Sequence, residues 1–111
     1  MPRLLLIDDD EQLGPPLAAY FKRFEFELVH ATRPSAGLAL LREGGFDAAI
    51  LDVMLPEIDG PTALKSLQAD ERTRSIPVAF FTAKAMASEV ERLRLAGARA
   101  VITKPFHPEG R

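Results

Sequence analysis

Five polar side chains stand where short apolar runs of the sequence end: Asp8, Asp9, Asp52, Thr82 and Lys104. If the three carboxylates meet, each pair ~4 Å apart repels by about 4 kcal/mol at an intermediate dielectric constant, so a cation is needed to compensate. Oxygen ligands favour a hard divalent ion, and Mg²⁺ takes one or two carboxylates while phosphate and water fill its other positions. Asp8, Asp9 and Asp52 are therefore predicted Mg²⁺ ligands.

Asp52 also has the chemistry of a phosphoacceptor. A carboxylate oxygen that is not bound to the metal can attack phosphorus and form an aspartyl phosphate, which is a form of covalent catalysis. Lys104 can place an ammonium against the phosphoryl oxygens, and Thr82 can donate a hydrogen bond to them. These residues predict phosphoryl transfer to Asp52, assisted by Mg²⁺.

The apolar runs that carry these residues have the length and composition of β-strands. We predict strands over 3–7, 26–31, 47–51, 77–81 and 100–102, separated by amphipathic segments. This alternation indicates an α/β fold with a parallel sheet and crossover helices. The first, third and fourth runs are almost continuously apolar, as expected for central strands covered on both faces. In such a sheet the ligand site lies beyond the carboxyl ends of the strands, where all five polar residues fall.

Proline, glycine and capping residues mark the predicted helices. Pro34 and Pro61 suit first turns, because the missing proline N–H has no partner there. Ser88 and Glu91 have the spacing of a capping box, and Gly97 is placed to end that helix. Two prolines follow Gly14, so the first helix is expected to start late or to be distorted.

Composition limits the classes of function. The 111 residues, 47% of them hydrophobic, fit one domain, and the net charge of −2 argues against direct nucleic-acid binding. Cysteine is absent, which excludes a disulfide framework and a thiolate metal site. No apolar run approaches membrane-spanning length, and the first run is stopped by aspartates. The chain is predicted to be cytoplasmic, with no membrane partner.

Asp10 and the two histidines are the other candidate ligands in the sequence. Asp10 follows the acidic pair and is expected to be an ordinary turn aspartate. His30 and His107 lack metal-ligand spacing, so neither is assigned a functional role.

The five residues together resemble the response-regulator receiver domains (CheY-like) of bacterial two-component signalling. That family has an acidic pair after strand one, Asp at strand three, Thr or Ser at strand four and Lys-Pro after strand five. Here these are Asp8-Asp9, Asp52, Thr82 and Lys104-Pro105, and the segment 51–60 is the most specific match. The resemblance covers essentially the whole chain, as one domain over 1–111.

The resemblance implies a fold, a cofactor and partners. The fold would be a flavodoxin-like, doubly wound sheet of five parallel strands in the order 2-1-3-4-5. A histidine kinase or phosphotransfer protein would donate phosphate to Asp52, and Met54 would offer its backbone carbonyl to Mg²⁺. Thr82 would move toward the phosphoryl group, and an output domain or protein that the sequence does not identify would receive the signal. The domain would not be a metabolic enzyme, since it catalyses only its own phosphorylation and dephosphorylation.

The sequence departs from the family pattern in two places. Val101 stands where the family commonly has an aromatic switch residue on strand five. The sequence ends at Arg111, where the family continues into a final helix, so a C-terminal truncation with that helix absent is expected.

Two alternative functions stay open at this point. The run Leu4–Asp10 also resembles the strand and Asp-x-Asp opening of haloacid-dehalogenase-like phosphatases, in which Asp8 would be the nucleophile. Such enzymes need a further acidic motif after the lysine, and only Glu109 is available there. The other alternative is a phosphate-independent interaction module that keeps the fold, against which the intact acidic set argues.

Overall fold

Five parallel strands form one sheet in the order β2-β1-β3-β4-β5, as the resemblance implies. The structure is a computed structural model and describes residues 1–83 and 86–104. The strands are β1 (Arg3–Ile7), β2 (Glu27–Ala31), β3 (Ala48–Asp52), β4 (Val78–Thr82) and β5 (Ala100–Thr103). Each predicted strand end lies within one residue of the observed end.

The three strands predicted to be central are the three interior strands, β1, β3 and β4. Their side chains are almost all buried, whereas those of β2 and β5 at the edges are largely half-buried or exposed. Successive residues point to opposite faces, so Leu5 and Ile7 enter one apolar cluster while Leu6 enters another. Continuous hydrophobicity along a strand therefore reflects burial on both faces.

Within residues 1–83 and 86–104, four helices cover the two faces of the sheet. They are α1 (Gly14–Lys22), α2 (Pro34–Glu43), α3 (Gly60–Ala69) and α4 (Ala87–Leu95). The larger core cluster contains Leu41 of α2, Leu67 of α3 and Leu93 of α4, and the smaller one contains Leu17 of α1. The smaller cluster also includes Phe81, whereas the preceding residue, Phe80, belongs to the larger cluster on the opposite face of the sheet.

Three helix starts agree with the sequence and one does not. Proline stands in the first turn of α1, α2 and α3, and α1 begins late, at Gly14. The predicted capping box at Ser88 is wrong, because α4 begins at Ala87 with Met86 as its N-cap and no side-chain cap bond. Alanine is a strong helix former, so the helix takes in Ala87 and leaves Ser88 inside its first turn. Gly97 does follow the end of α4, with φ of 115°.

Gly60 is required by close packing at the start of α3. A Cβ atom at this position would lie 2.5 Å from the carbonyl oxygen of Asp52 and 2.7 Å from Cε1 of Phe80. Gly60→Ala should therefore lower the free energy of unfolding by about 1–3 kcal/mol, even though alanine is the better helix former. Urea unfolding measures the loss.

The control for this substitution is Lys65→Ala, which removes an exposed side chain from the same helix. We expect its effect to stay within about 0.5 kcal/mol. A Gly60→Ala variant as stable as the native chain would show that the Asp52 backbone can shift away from the added methyl group.

The sequence also led us to expect no membrane-spanning segment and no final helix. Within the residues that the structure describes, none of the helices has both the length and the apolar character needed to cross a bilayer. The expectation of a missing final helix falls on 105–111, which lie outside the described residues.

Candidate functional site

The structure brings the five predicted site residues to the carboxyl edge of the sheet. Asp52 and Thr82 are the last residues of β3 and β4, Asp8 follows β1, and Lys104 follows β5. Asp8, Asp52 and Thr82 are buried, whereas Asp9 is exposed at the rim. Parallel strands place these side chains together because all of them end at the same edge.

An ion triad joins three of these residues. Nζ of Lys104 lies 2.8 Å from Oδ2 of Asp8 and 3.1 Å from Oδ2 of Asp52. The Asp8 side chain is 0% exposed, the Asp52 side chain 11% and the Lys104 side chain 24%. One ammonium therefore faces two carboxylates in a place where water screens them poorly.

The backbone adds to the placement of Lys104 and Asp52. The Lys104 amide donates to the Thr82 carbonyl over 2.6 Å, which ties the residue after β5 to the end of β4. The Met54 amide donates to Oδ1 of Asp52 over 3.3 Å, so each oxygen of this carboxylate has a separate neighbour. The loop after β3 and the lysine after β5 thus hold Asp52 from two sides.

The electrostatics of Asp52 reflect its burial. Burial raises the pKa of this carboxyl above its ordinary value of 3.8, and the charge of Asp8 raises the pKa further. The hydrogen bond and charge of Lys104 and the Met54 amide act in the opposite direction without cancelling the rise. For Lys104, burial opposes the charged form, but the bonds and charges of both carboxylates outweigh it and raise the pKa of the ammonium.

The acidic residues fit a hard divalent cation. Oxygen atoms of Asp8, Asp9 and Asp52 lie within 4.8 Å of one another. Oδ2 of Asp8 is wholly buried, and the Lys104 ammonium lies 2.8 Å from it. An all-oxygen set that includes a buried carboxylate suits Mg²⁺ better than a soft metal.

A cavity of about 550 Å³ opens beside Asp52. Its lining includes Asp52, Met54, Leu55, Thr82, Arg92 and Lys104. The phosphoacceptor candidate therefore has room beside it for a phosphoryl group and part of its donor.

Asp10 and His30 are neighbours of the acidic cluster. Asp10 is a turn residue, as predicted: its carboxylate accepts the Gln12 amide over 3.0 Å. The sequence indicates no role for His30, yet its Nε2 lies 2.7 Å from the Asp8 carbonyl oxygen, so this nitrogen carries the proton and donates. No spacing in the sequence signals that contact, since the two residues meet only when β2 pairs with β1.

The comparison with protein families decides the identity of the fold. Residues 4–110 match the family model described as the response regulator receiver domain. The chain belongs to this family. The match spans both the acidic pair and Lys104, and it makes the chain a signalling module of two-component systems. A haloacid-dehalogenase-like phosphatase is not favoured.

Individual receiver domains support this assignment. The chain is 35% identical over 109 residues to the DNA-binding dual master transcriptional regulator RpaA of Synechocystis, covering 98% of this chain and 45% of that protein. Its fold matches the non-phosphorylated HemR receiver domain of Leptospira biflexa, with a TM-score of 0.85, 34% identity and coverage of 98% and 86%. The chain spans less than half the length of the first two curated relatives.

A third receiver domain shares the fold and contains a metal. It belongs to the sensor histidine kinase PA1611 of Pseudomonas aeruginosa and matches with a TM-score of 0.84 and 23% identity, covering 97% of this chain and 88% of that one. That structure has a magnesium ion coordinated in its active site cleft. Receiver domains bind Mg²⁺ in the acidic pocket, and the cluster Asp8, Asp9 and Asp52 is the acidic pocket of this chain.

Proposed function

We propose that this receiver domain accepts a phosphoryl group on Asp52 and passes the phosphorylated state to a downstream partner. The observation that carries the proposal is the Lys104 ammonium, which bridges Asp8 and Asp52 beside an open cavity. An ordinary exposed aspartate would not share a lysine with a buried carboxylate, and an aspartate that only stabilises the fold would not require an open cavity beside it. The donor would be a phosphohistidine of a histidine kinase or of a phosphotransfer protein.

The transfer would form one bond and break another. A carboxylate oxygen of Asp52 attacks phosphorus, the bond between phosphorus and the donor nitrogen breaks, and the electron pair leaves with the imidazole. Lys104 already contacts Oδ2 of Asp52, so its ammonium stands beside the atoms on which negative charge collects. Thr82 lines the same cavity and is placed to donate a hydroxyl hydrogen bond to a phosphoryl oxygen.

The residues that would hold Mg²⁺ are the carboxylates of Asp8, Asp9 and Asp52 and the backbone carbonyl of Met54. When bound, the ion would neutralise charge on the carboxylates and on the phosphoryl oxygens. The carboxylates support this assignment because their oxygen atoms lie within 4.8 Å of one another. Met54 is included because it follows Asp52 by two residues and its amide already turns toward that side chain.

The signal would leave the site through a change of surface. A phosphate adds about 1.5 to 2 negative charges, which suffices to bias a loop between two states a few kcal/mol apart. Val101 lies half-buried on β5 against the larger core cluster and has no ring to rotate. We therefore assign the relay to the segment after Thr82 and not to an aromatic side chain of β5.

The proposal also covers the domain organisation, the output and the location of the protein. We take residues 1–111 as a single receiver domain, which spans less than half the length of its first two curated relatives. The output would then be a domain or protein other than this segment, with no direct nucleic-acid contact here. We place the reaction in the cytoplasm, where ATP supplies the phosphate of histidine kinases.

Mass spectrometry tests the proposal directly. The native chain, Asp52→Asn and the control Asp47→Asn are incubated with a small acyl phosphate, with and without Mg²⁺, and the intact and peptide masses are compared. Asp47 lies just before the opposite end of β3, where its carboxylate accepts the Arg3 amide over 2.8 Å. We expect one labile phosphate, mapped to Asp52, in the native chain and in the control.

Each alternative outcome has a definite meaning. A label on Asp8 would support the phosphatase hypothesis in place of the receiver switch. A folded native chain that takes no label would contradict the proposal and favour a phosphate-independent interaction module.

A further inference from the structure

Glu57 connects the loop after Asp52 to the start of α2. Its Oε1 accepts the Ser35 amide over 3.0 Å, and its Oε2 accepts the Ser35 hydroxyl over 3.2 Å. Arg33 adds an ion pair, with Nη1 3.6 Å from Oε2 of Glu57. One side chain of the loop therefore makes three contacts with two residues of another element.

These contacts replace a cap that α2 lacks. The N-cap position is Arg33, whose side chain makes no capping hydrogen bond, and the first amides of a helix have no partner within the helix. A carboxylate at a helix N-terminus also interacts favourably with the helix dipole. The Ser35 bonds hold the pKa of Glu57 below its usual value, so the carboxylate is charged at neutral pH.

The backbone of Glu57 is strained. Its φ is 66°, and the Ile58 amide donates to the Pro56 carbonyl over 2.7 Å, which closes a three-residue turn around Glu57. Left-handed backbone is uncommon for a residue with a long side chain, and turns of this kind are rare. Such a conformation persists where the surrounding contacts hold it, as the bonds from Ser35 do here.

The same loop carries the neighbours of Asp52. The Met54 amide donates to Oδ1 of Asp52 over 3.3 Å, and the Gly60 amide donates to the Val53 carbonyl over 2.8 Å. Both of these bonds lie at the base of the loop, close to β3. Glu57 makes the contact at the outer side of the loop, against a separate helix.

We propose that Glu57 is a positioning residue for phosphoryl transfer, fixing the loop 53–59 beside Asp52 by clamping it to the first turn of α2. This inference rests on the proposed function of Asp52. Loss of the clamp should loosen the Met54 amide and displace the Met54 carbonyl that we assign to Mg²⁺. Residues that orient the ligands of a metal commonly change its affinity without touching it.

Two substitutions of Glu57 separate the effect of its side-chain length from the effect of its left-handed backbone conformation. Glu57→Asn keeps a polar residue that tolerates left-handed backbone but is one methylene too short to reach Ser35. Glu57→Gln keeps the length and an acceptor oxygen. The matched control is Glu43→Gln, an exposed residue in the last turn of α2.

Three quantities are measured for each variant: amide hydrogen exchange at Met54 and Gly60 in metal-free protein, the Kd for Mg²⁺, and the rate of labelling by a small acyl phosphate. Glu57→Asn should speed exchange at both amides and raise the Kd about threefold to tenfold, with a similar fall in labelling rate. Glu57→Gln should recover most of each change, and Glu43→Gln should match the native chain.

A purely structural role gives a different pattern. If Glu57→Asn lowers Tm and speeds exchange at Ser35 alone, with Met54 exchange and the Kd within about twofold of native, Glu57 only caps α2 and the inference is wrong. If the native chain takes no phosphate, the proposed function fails. The exchange rates at Met54 and Gly60 still decide whether Glu57 fixes the loop.

Discussion

Lys104→Gln is expected to slow phosphorylation of Asp52 by about a hundredfold or more. The ammonium lies 3.1 Å from Oδ2 of Asp52 and is the cation in contact with both buried carboxylates. Removing one preorganised electrostatic group of this kind typically costs a factor of 10² to 10³ in rate. Glutamine keeps most of the length and a hydrogen-bond donor, so the loss reports the charge.

The same substitution should also destabilise the metal-free fold. It leaves Asp8 and Asp52 facing each other without compensation, and Asp8 is fully buried. Breaking a fully buried ion pair costs 3–5 kcal/mol; since part of Lys104 is exposed, we expect about 2 kcal/mol at neutral pH. Mg²⁺ should restore part of this loss by supplying another positive charge.

Labelling kinetics and urea unfolding of matched variants measure both effects. Lys65→Gln removes an exposed lysine of α3 and should behave as the native chain. Lys104→Arg keeps the charge with a different shape, so it should recover stability better than rate. If Lys104→Gln is phosphorylated as fast as the native chain, the bridge to Asp52 has no part in the transfer.

The strands of the sheet and the residues that meet at its carboxyl edge could be predicted from the sequence, because both depend on local patterns. An apolar run of about five residues predicts a strand. In a parallel sheet, a polar residue at the end of such a run lies at the carboxyl edge of the sheet. Asp52 could be placed in this way without any knowledge of its neighbours. The family resemblance then supplied the strand order, which the pattern alone leaves open.

Two contacts close to the acidic pocket could not be predicted from the sequence. Glu57 meets Ser35 across 22 positions, and His30 meets the Asp8 carbonyl across the same separation. Both contacts depend on how loops and strands pack after the sheet forms. A weak signal existed for the first: Arg33 precedes Pro34 where a capping residue is expected, which leaves the first amides of α2 without a cap from the N-cap side chain.

The capping-box rule failed at α4, where the helix preference of Ala87 was stronger. Ser88 has the spacing of a capping residue, but the helix begins at Ala87, two residues before the Glu89 at which a helix capped by Ser88 would begin, so Ser88 is part of the first turn. Since helix ends depend on small differences between neighbouring residues, they are less predictable than the strands of a buried sheet.

The acidic pocket should make the metal-free protein less stable than its Asp52→Asn variant at neutral pH. The pKa of Asp52 is raised in the folded chain above 3.8, mainly by burial, so the folded state holds this proton to higher pH than the unfolded state does. Stability therefore falls as pH rises from 3.8 through the folded pKa, and it stays lower above that range. Asparagine does not ionise, so the advantage of the variant should be present at pH 7 and absent below 3.8.

Mg²⁺ should reverse this penalty in the native chain. A ligand that binds only the folded state stabilises it by about 2.7 kcal/mol at about a hundred times its Kd, which raises Tm by on the order of 10 °C for a domain of this size. Thermal unfolding with MgCl₂, against NaCl at equal ionic strength, separates binding from screening. Asp8→Asn removes a predicted ligand and should abolish most of the Mg²⁺ effect, whereas Asp47→Asn should retain it. Equal stabilisation of the Asp8→Asn variant would place the cation outside the acidic pocket, because a site built on Asp8 cannot bind equally well without its charge.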